Sequence, residues 1–192
     1  GHSHSGVFND FFIARLNTDG SLDSNFGTNG KVITSVKNDD NIYDIVIQSD
    51  GKIVVGGIAN DSGAENFCLV RYNSDGSLDT DFGSSGKVIT DIDSSDDAIR
   101  ALALQSDGKI VAVGTAKMTS DGSKHSLAVL RYNTNGTLDT SFDSDGKFTK
   151  RVGTYSFGWD VAIQSDGKII AVGEAGQGGV SDLLLIRLNT NG

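Results

Sequence analysis

Three residues of unlike chemistry stand at one repeated place in this 192-residue chain: Tyr43, Arg100 and Trp159, each five residues before a glutamine (Gln48, Gln105, Gln164). A phenol, a guanidinium and an indole at equivalent positions would lie near the same end of adjacent structural units. Such residues are favoured on recognition surfaces, sugar-stacking ones included. The plainer reading is that an amphipathic residue opening a strand merely caps its unit. Lys117, Met118, Lys124 and His125 form a second tier of candidates. They sit in the longest of three variable loops, "TAKMTSDGSKHS", and loops carry contacts because they tolerate change. His125 taken alone reads as a solvated loop residue.

Two further histidines, His2 and His4, open the chain in "GHSHSG". At this spacing an extended backbone sends both imidazoles to one side, so three symmetry-related chains would aim six of them at one metal ion. The competing reading is a disordered tag or cloning remnant. The paired carboxylates Asp39-Asp40 and Asp96-Asp97 suggest a hydrolytic metal centre, but the third unit has "GTYS" in their place, and a solvated acidic loop explains them more simply. "NTDGSLD", with Asn17, Asp19, Gly20, Ser21 and Asp23, suggests a calcium loop yet lacks the distal glutamate, so a side chain closing an Asx-type turn is the better reading. There is no Gly-x-Ser-x-Gly elbow and no Cys/His cluster, and His125 is the only histidine beyond the first six residues. We assign no catalytic residue and expect no enzyme. No cofactor is expected apart from a metal at the histidine pair of a trimer.

The elements that position these residues repeat. Arg15, Arg71, Arg131 and Arg187 are separated by 56, 60 and 56 residues, and the three "QSDGKI" segments by 57 and 59, which sets a repeat of about 57. Each repeat holds four strand-like runs, typified by "GKVIT", "IYDIVIQ", "KIVVGG" and "FCLVRY". The second and third are joined by Ser-Asp-Gly, a tight-turn signal. Runs such as Leu183 to Ile186 are continuously apolar, as in a sheet covered on both faces, and nothing reads as a helix to supply the cover. The expectation is all-β: sheet packed on sheet around an axis, with four short antiparallel strands per propeller-type blade. The abundant glycine (25 residues) and absent proline suit many short strands and tight turns.

Composition narrows the partners. A net charge of −9 argues against nucleic acid and anionic membrane, and no apolar run approaches the roughly 20 residues that insertion as a helix needs. The single cysteine, Cys68, lies among apolar neighbours and reads as an inert buried thiol.

"LVRYNSDGSLDTDFGSSGKVIT" followed by "ALALQSDGKIVAVG" resembles the delta-60 repeat of bacterial surface and secreted proteins, which implies β-propeller blades and an extracellular or cell-surface location. Asp143 departs from the glycine at Gly27 and Gly83. The His-x-His pair is similar to pairs in trimeric phage-type tail fibres, which implies iron on a fibre axis. The domain is expected over residues 11–192, with 1–10 as linker, tag or fibre-shaft end. Counted from "GKVIT", the runs make three blades and one spare strand, Phe11 to Leu16, fewer blades than a closed ring needs. The expectation is therefore a homo-oligomer, a trimer before a dimer, or a piece of a longer array. Its function is expected to be surface recognition of a glycan or protein at a fibre tip; a structural spacer without ligand is the alternative, and a propeller hydrolase comes last.

Overall fold

The computed structural model describes residues 2–4, 9–61, 63–93, 96–122 and 124–192. They form four antiparallel sheets. The first contains β1 (His2–His4), β2 (Asn9–Ala14) and β3 (Lys31–Thr34), in that order. The second runs β4 (Asp39–Ile47), β5 (Ile53–Asp61), β6 (Ala64–Tyr72), β7 (Lys87–Thr90). The third runs β8 (Asp97–Leu104), β9 (Ile110–Met118), β10 (Lys124–Tyr132), β11 (Lys147–Lys150), and the fourth holds β12 (Tyr155–Ile163), β13 (Ile169–Gln177) and β14 (Val180–Leu188). The fold is all-β with propeller-type blades, as the strand pattern requires; the one helical turn among the described residues is a 3-10 turn at Thr119–Asp121.

The phase of the blades differs from the count made on the sequence. Each Lys-Val-Ile-Thr strand pairs backwards, on the strand that precedes it: Val70 faces Lys87 and Phe67 faces Thr90. The long turn between them folds back on itself through Arg71 N to Gly86 O (2.9 Å) and Asp79 N to Arg71 O (3.0 Å). The sheets therefore hold three, four, four and three strands, and β2 is not spare but lies between β1 and β3. The backbone of β1 pairs with Asn9–Phe11, His2 opposite Phe11, so part of the segment read as a linker extends the first sheet. The side chains of His2 and His4 lie outside the described residues, and with them the metal reading.

Local chemistry explains the hairpins. At Gln48–Lys52 the amide of Gln48 donates to Lys52 O (2.8 Å) and Gly51 takes φ of 83°, where an L side chain is strained. The same turn joins β8 to β9 and β12 to β13, with Gly108 and Gly167 in the place of Gly51.

Between consecutive sheets lie three apolar layers. Phe11, Phe26 and Val55 fill the first, Phe67, Phe82 and Leu130 the second, Leu127, Phe142 and Ile169 the third. Truncating one such buried phenylalanine costs about 3–5 kcal/mol. Cys68 is fully buried within the first layer, and burial pushes its thiol well above the usual range, as an inert thiol requires. Two buried hydroxyl pairs cross from sheet to sheet: Tyr72 donates to Thr34 Oγ1 (2.8 Å) and Tyr132 to Thr90 Oγ1 (2.9 Å). In the last repeat both members of this pair are gone, replaced by Leu188 and Lys150. Losing both together leaves no buried hydroxyl without a partner.

The recurring arginine locks one repeat to the next. Arg71 Nε pairs with Asp79 Oδ2 (2.7 Å), its guanidinium lies 4.4 Å over the Phe82 ring, and its Nη1 donates to Thr134 O of the following repeat (2.5 Å). Arg131 does the same with Asp139, Phe142 and Thr190 O, and Arg15 with Asp23, Phe26 and Ser74 O. Beside each arginine a backbone amide reinforces the dock: Gly27 N to Asp75 O (2.8 Å), Gly83 N to Asn135 O (2.9 Å), Asp143 N to Asn191 O (2.9 Å). The final "NTNG", Asn189 to Gly192, is thus the turn that seats on the third repeat.

Candidate functional site

In β4, β8 and β12 the pairing with the neighbouring strand slips by one residue, between Ile42 and Asp44, Ile99 and Ala101, and Gly158 and Asp160. The residues left out are Tyr43, Arg100 and Trp159. A glycine on the partner strand makes room for each slip. A Cβ on Gly57, Gly114 or Gly173 would stand 1.8 to 1.9 Å from the carbonyl oxygen of Asn41, Ala98 or Phe157. Only glycine admits so close an approach, and the bulge re-aims the side chain that a regular strand would send elsewhere. Asp44 ties two of the bulged strands together by accepting Leu102 N of the next sheet (2.6 Å).

The three side chains that the sequence singled out therefore meet. The Arg100 guanidinium lies 4.4 Å over the Tyr43 ring and 5.7 Å from the Trp159 ring. Trp159 stacks on Phe157 at 5.8 Å and 27°, and Phe157 touches Tyr155 at 5.3 Å and His125 at 5.0 Å. The result is one row of rings and a cation crossing three sheets. Tyr43 and Trp159 are 45% and 46% exposed, so both rings keep free surface, while Arg100 is half-buried. Each cation–π contact contributes about 0.5–1 kcal/mol at such exposure.

His125 is not a solvated loop residue: it lies within β10, half-buried, against Phe157. Burial, and then the Lys117 charge, hold its pKa below the ordinary histidine range, which keeps the imidazole neutral at pH 7. Lys117 is committed to Asp96 (2.9 Å) at the end of β9. Lys124 is exposed at the start of β10, opposite Met118, and the structure does not bring it into the row. Phe157 and Tyr155 escaped the sequence reading. Their signal was the alternation in "YSFGW", three aromatics at every second residue leading to the bulge.

The other chemical candidates serve the backbone. Asp40 accepts Val36 N (2.6 Å) and Lys37 N (3.0 Å), and Asp97 accepts Ile92 N (2.8 Å) and Lys117 N (3.2 Å). In the third repeat Ser156 takes over by accepting Val152 N (2.7 Å). Both carboxylates are fully buried rather than solvated, which corrects the acidic-loop expectation; burial raises the pKa of Asp40 and pushes Asp97 up to about 6. The turn read against calcium closes as an Asx turn: Asp19 Oδ1 accepts the amide (2.9 Å) and hydroxyl (2.6 Å) of Ser21. Among the described residues no group of three His, Cys, Asp or Glu side chains is arranged to hold a metal.

Antiparallel sheets of three or four strands, stacked face to face and docked by a repeating turn, define a β-propeller-type repeat protein. The chain belongs to the family described as a domain of unknown function (DUF5122) beta-propeller, whose profile matches residues 1–26, 48–82, 105–142 and 164–192. No curated protein matches the chain significantly.

Proposed function

We propose that this chain is a non-catalytic recognition module of the delta-60 type that binds a cell-surface ligand, a glycan foremost, through Tyr43, Arg100 and Trp159. What supports this is the three bulges on adjacent sheets, which deliver variable side chains into one partly exposed row while the scaffold around them repeats. Exposed aromatic faces stack on the apolar faces of sugar rings. We place the module outside the cytoplasm, at a bacterial surface, in a homo-oligomer at the tip of a fibre-like adhesin. A trimer is the form that gathers His2 and His4 on one axis.

Assembly draws support from the fourth sheet. Leu183 and Leu185 are 87% and 60% exposed, whereas Leu127 and Val129, at the same places in the third, are buried by the sheet that follows. A sheet from a second copy would cover them. Binding to a glycan array and to whole cells tests the recognition reading: loss of signal in Tyr43→Ala and Trp159→Ala is expected, and a blank array sinks it. Light scattering on the chain with and without residues 1–6 tests assembly, and a strict monomer overturns that part. The arginine dock, which recurs unchanged from repeat to repeat, favours a second reading as a ligand-free spacer, and a blank array with a well-folded protein would put it first.

A further inference from the structure

Resting on the glycan reading, the chemistry of Arg100 narrows the ligand. Its guanidinium centre lies 4.4 Å from the Tyr43 ring and 5.7 Å from the Trp159 ring. Its Nε is buried with no hydrogen-bond partner, and no ion-pair partner is found among the described residues. Glu65 lies near enough for Arg100 to oppose the rise that burial, and then the Asp96 charge, impose on its carboxyl, yet the two do not bond. A guanidinium stacked on rings has its edge left for bonding. That edge is a planar fork of N–H donors matched to two coplanar oxygens.

The row around it has the dimensions of a saccharide track. Its neighbouring groups are 4.4 to 5.8 Å apart, and the two rings beside the cation, Tyr43 and Trp159, are both partly exposed. Both rings lie close enough to the guanidinium, 4.4 and 5.7 Å, for the acid group of a sugar stacked on either to reach it. The chain's net charge of −9 disfavours a densely charged polyanion, so the acid groups must be sparse.

We propose that the row binds an acidic saccharide, with a sugar carboxylate held by the edge of Arg100 and the ring faces of neighbouring sugars stacked on Tyr43 and Trp159. Sulfate esters offer the same anion chemistry from a different source, and the experiment separates the two.

Trp159 is the only tryptophan of the chain, so its fluorescence reports on this site alone. The unmodified protein is titrated with 3′-sialyllactose and methyl galacturonoside, with their neutral counterparts lactose and methyl galactoside, and with lactose 3′-sulfate, which carries a sulfate ester and no carboxylate. The carboxylate sugars are expected to change the emission at about tenfold lower concentration than the neutral ones, a difference of about 1.4 kcal/mol. Added salt should narrow that gap. Arg100→Lys keeps the charge but loses the planar fork, and should remove the preference, so that acidic and neutral sugars act at the same concentration. Equal affinity for acidic and neutral sugars, or an Arg100→Lys variant that keeps the preference, overturns this inference while leaving glycan recognition standing. Preference for lactose 3′-sulfate over 3′-sialyllactose overturns the carboxylate assignment. If no sugar of either kind binds, the glycan reading itself fails, and the inference falls with it.

Discussion

Asp97 offers the sharpest test of how the scaffold is held. Its carboxyl is fully buried, and burial raises its pKa from 3.8 to about 6 in the folded chain. The unfolded chain releases that proton near pH 4, so as pH rises through the interval between the two values the folded state binds the extra proton. The stability that Asp97 contributes is therefore complete below about pH 4 and is lost as pH climbs through about 6. A shift of roughly two pKa units corresponds to ~3 kcal/mol. Asp40, raised in the same direction, adds to the decline, whereas the lowered carboxyls such as Asp139 act in the opposite sense below pH 4. Urea unfolding of the wild type and of Asp97→Asn between pH 4.5 and 7.5 measures the term. The wild type should lose stability over this range and the variant should be flatter by ~2 kcal/mol, the part of the shift that falls above pH 4.5, after a pH-independent cost of about 1 kcal/mol for the weakened bond to Lys117 N. Equal slopes in the two proteins would refute the reasoning.

Arg131→Met, which leaves the buried Asp139 carboxylate only Lys109 and Ser141 as partners, should destabilise by about 1.5–3 kcal/mol in the same assay, whereas Arg15→Met at its half-exposed site should cost about 1 kcal/mol or less. Asp143 holds φ of 45° where Gly27 and Gly83 hold 55° and 54°, so Asp143→Gly should raise stability by about 0.5–1 kcal/mol, read as an upward shift of the melting temperature. The aromatic row is not a stability element: Trp159→Ala should change unfolding free energy by about 1 kcal/mol or less, seen by circular dichroism, while abolishing sugar binding.

Much of this was legible because it is local. The Asp-Gly hairpins follow from turn chemistry, and counting back from Gln48, Gln105 and Gln164 found the three bulged residues without knowledge of the bulge. What the sequence hid is pairing at a distance. A repeat length of about 57 carries no phase, so nothing local tells that Lys87 returns to Val70 rather than forward to β8. The buried state of Asp40 and Asp97 was hidden for the same reason. Their polar type reads as solvent, and only the loop that wraps them, donating Val36 N and Ile92 N, shows otherwise. Phe157 was visible in "YSFGW" but gains meaning only once Trp159 is turned beside it.

The dock between repeats gives the chain a direction. Every repeat offers an arginine and an amide to the turn after it, and presents its own turn to the repeat before, so the joint is a matched plug and socket encoded within each period. A genetic duplication of one full period, begun at any point, would reproduce both halves of the joint in frame. Such a protein can lengthen or shorten by unequal recombination without inventing a new interface.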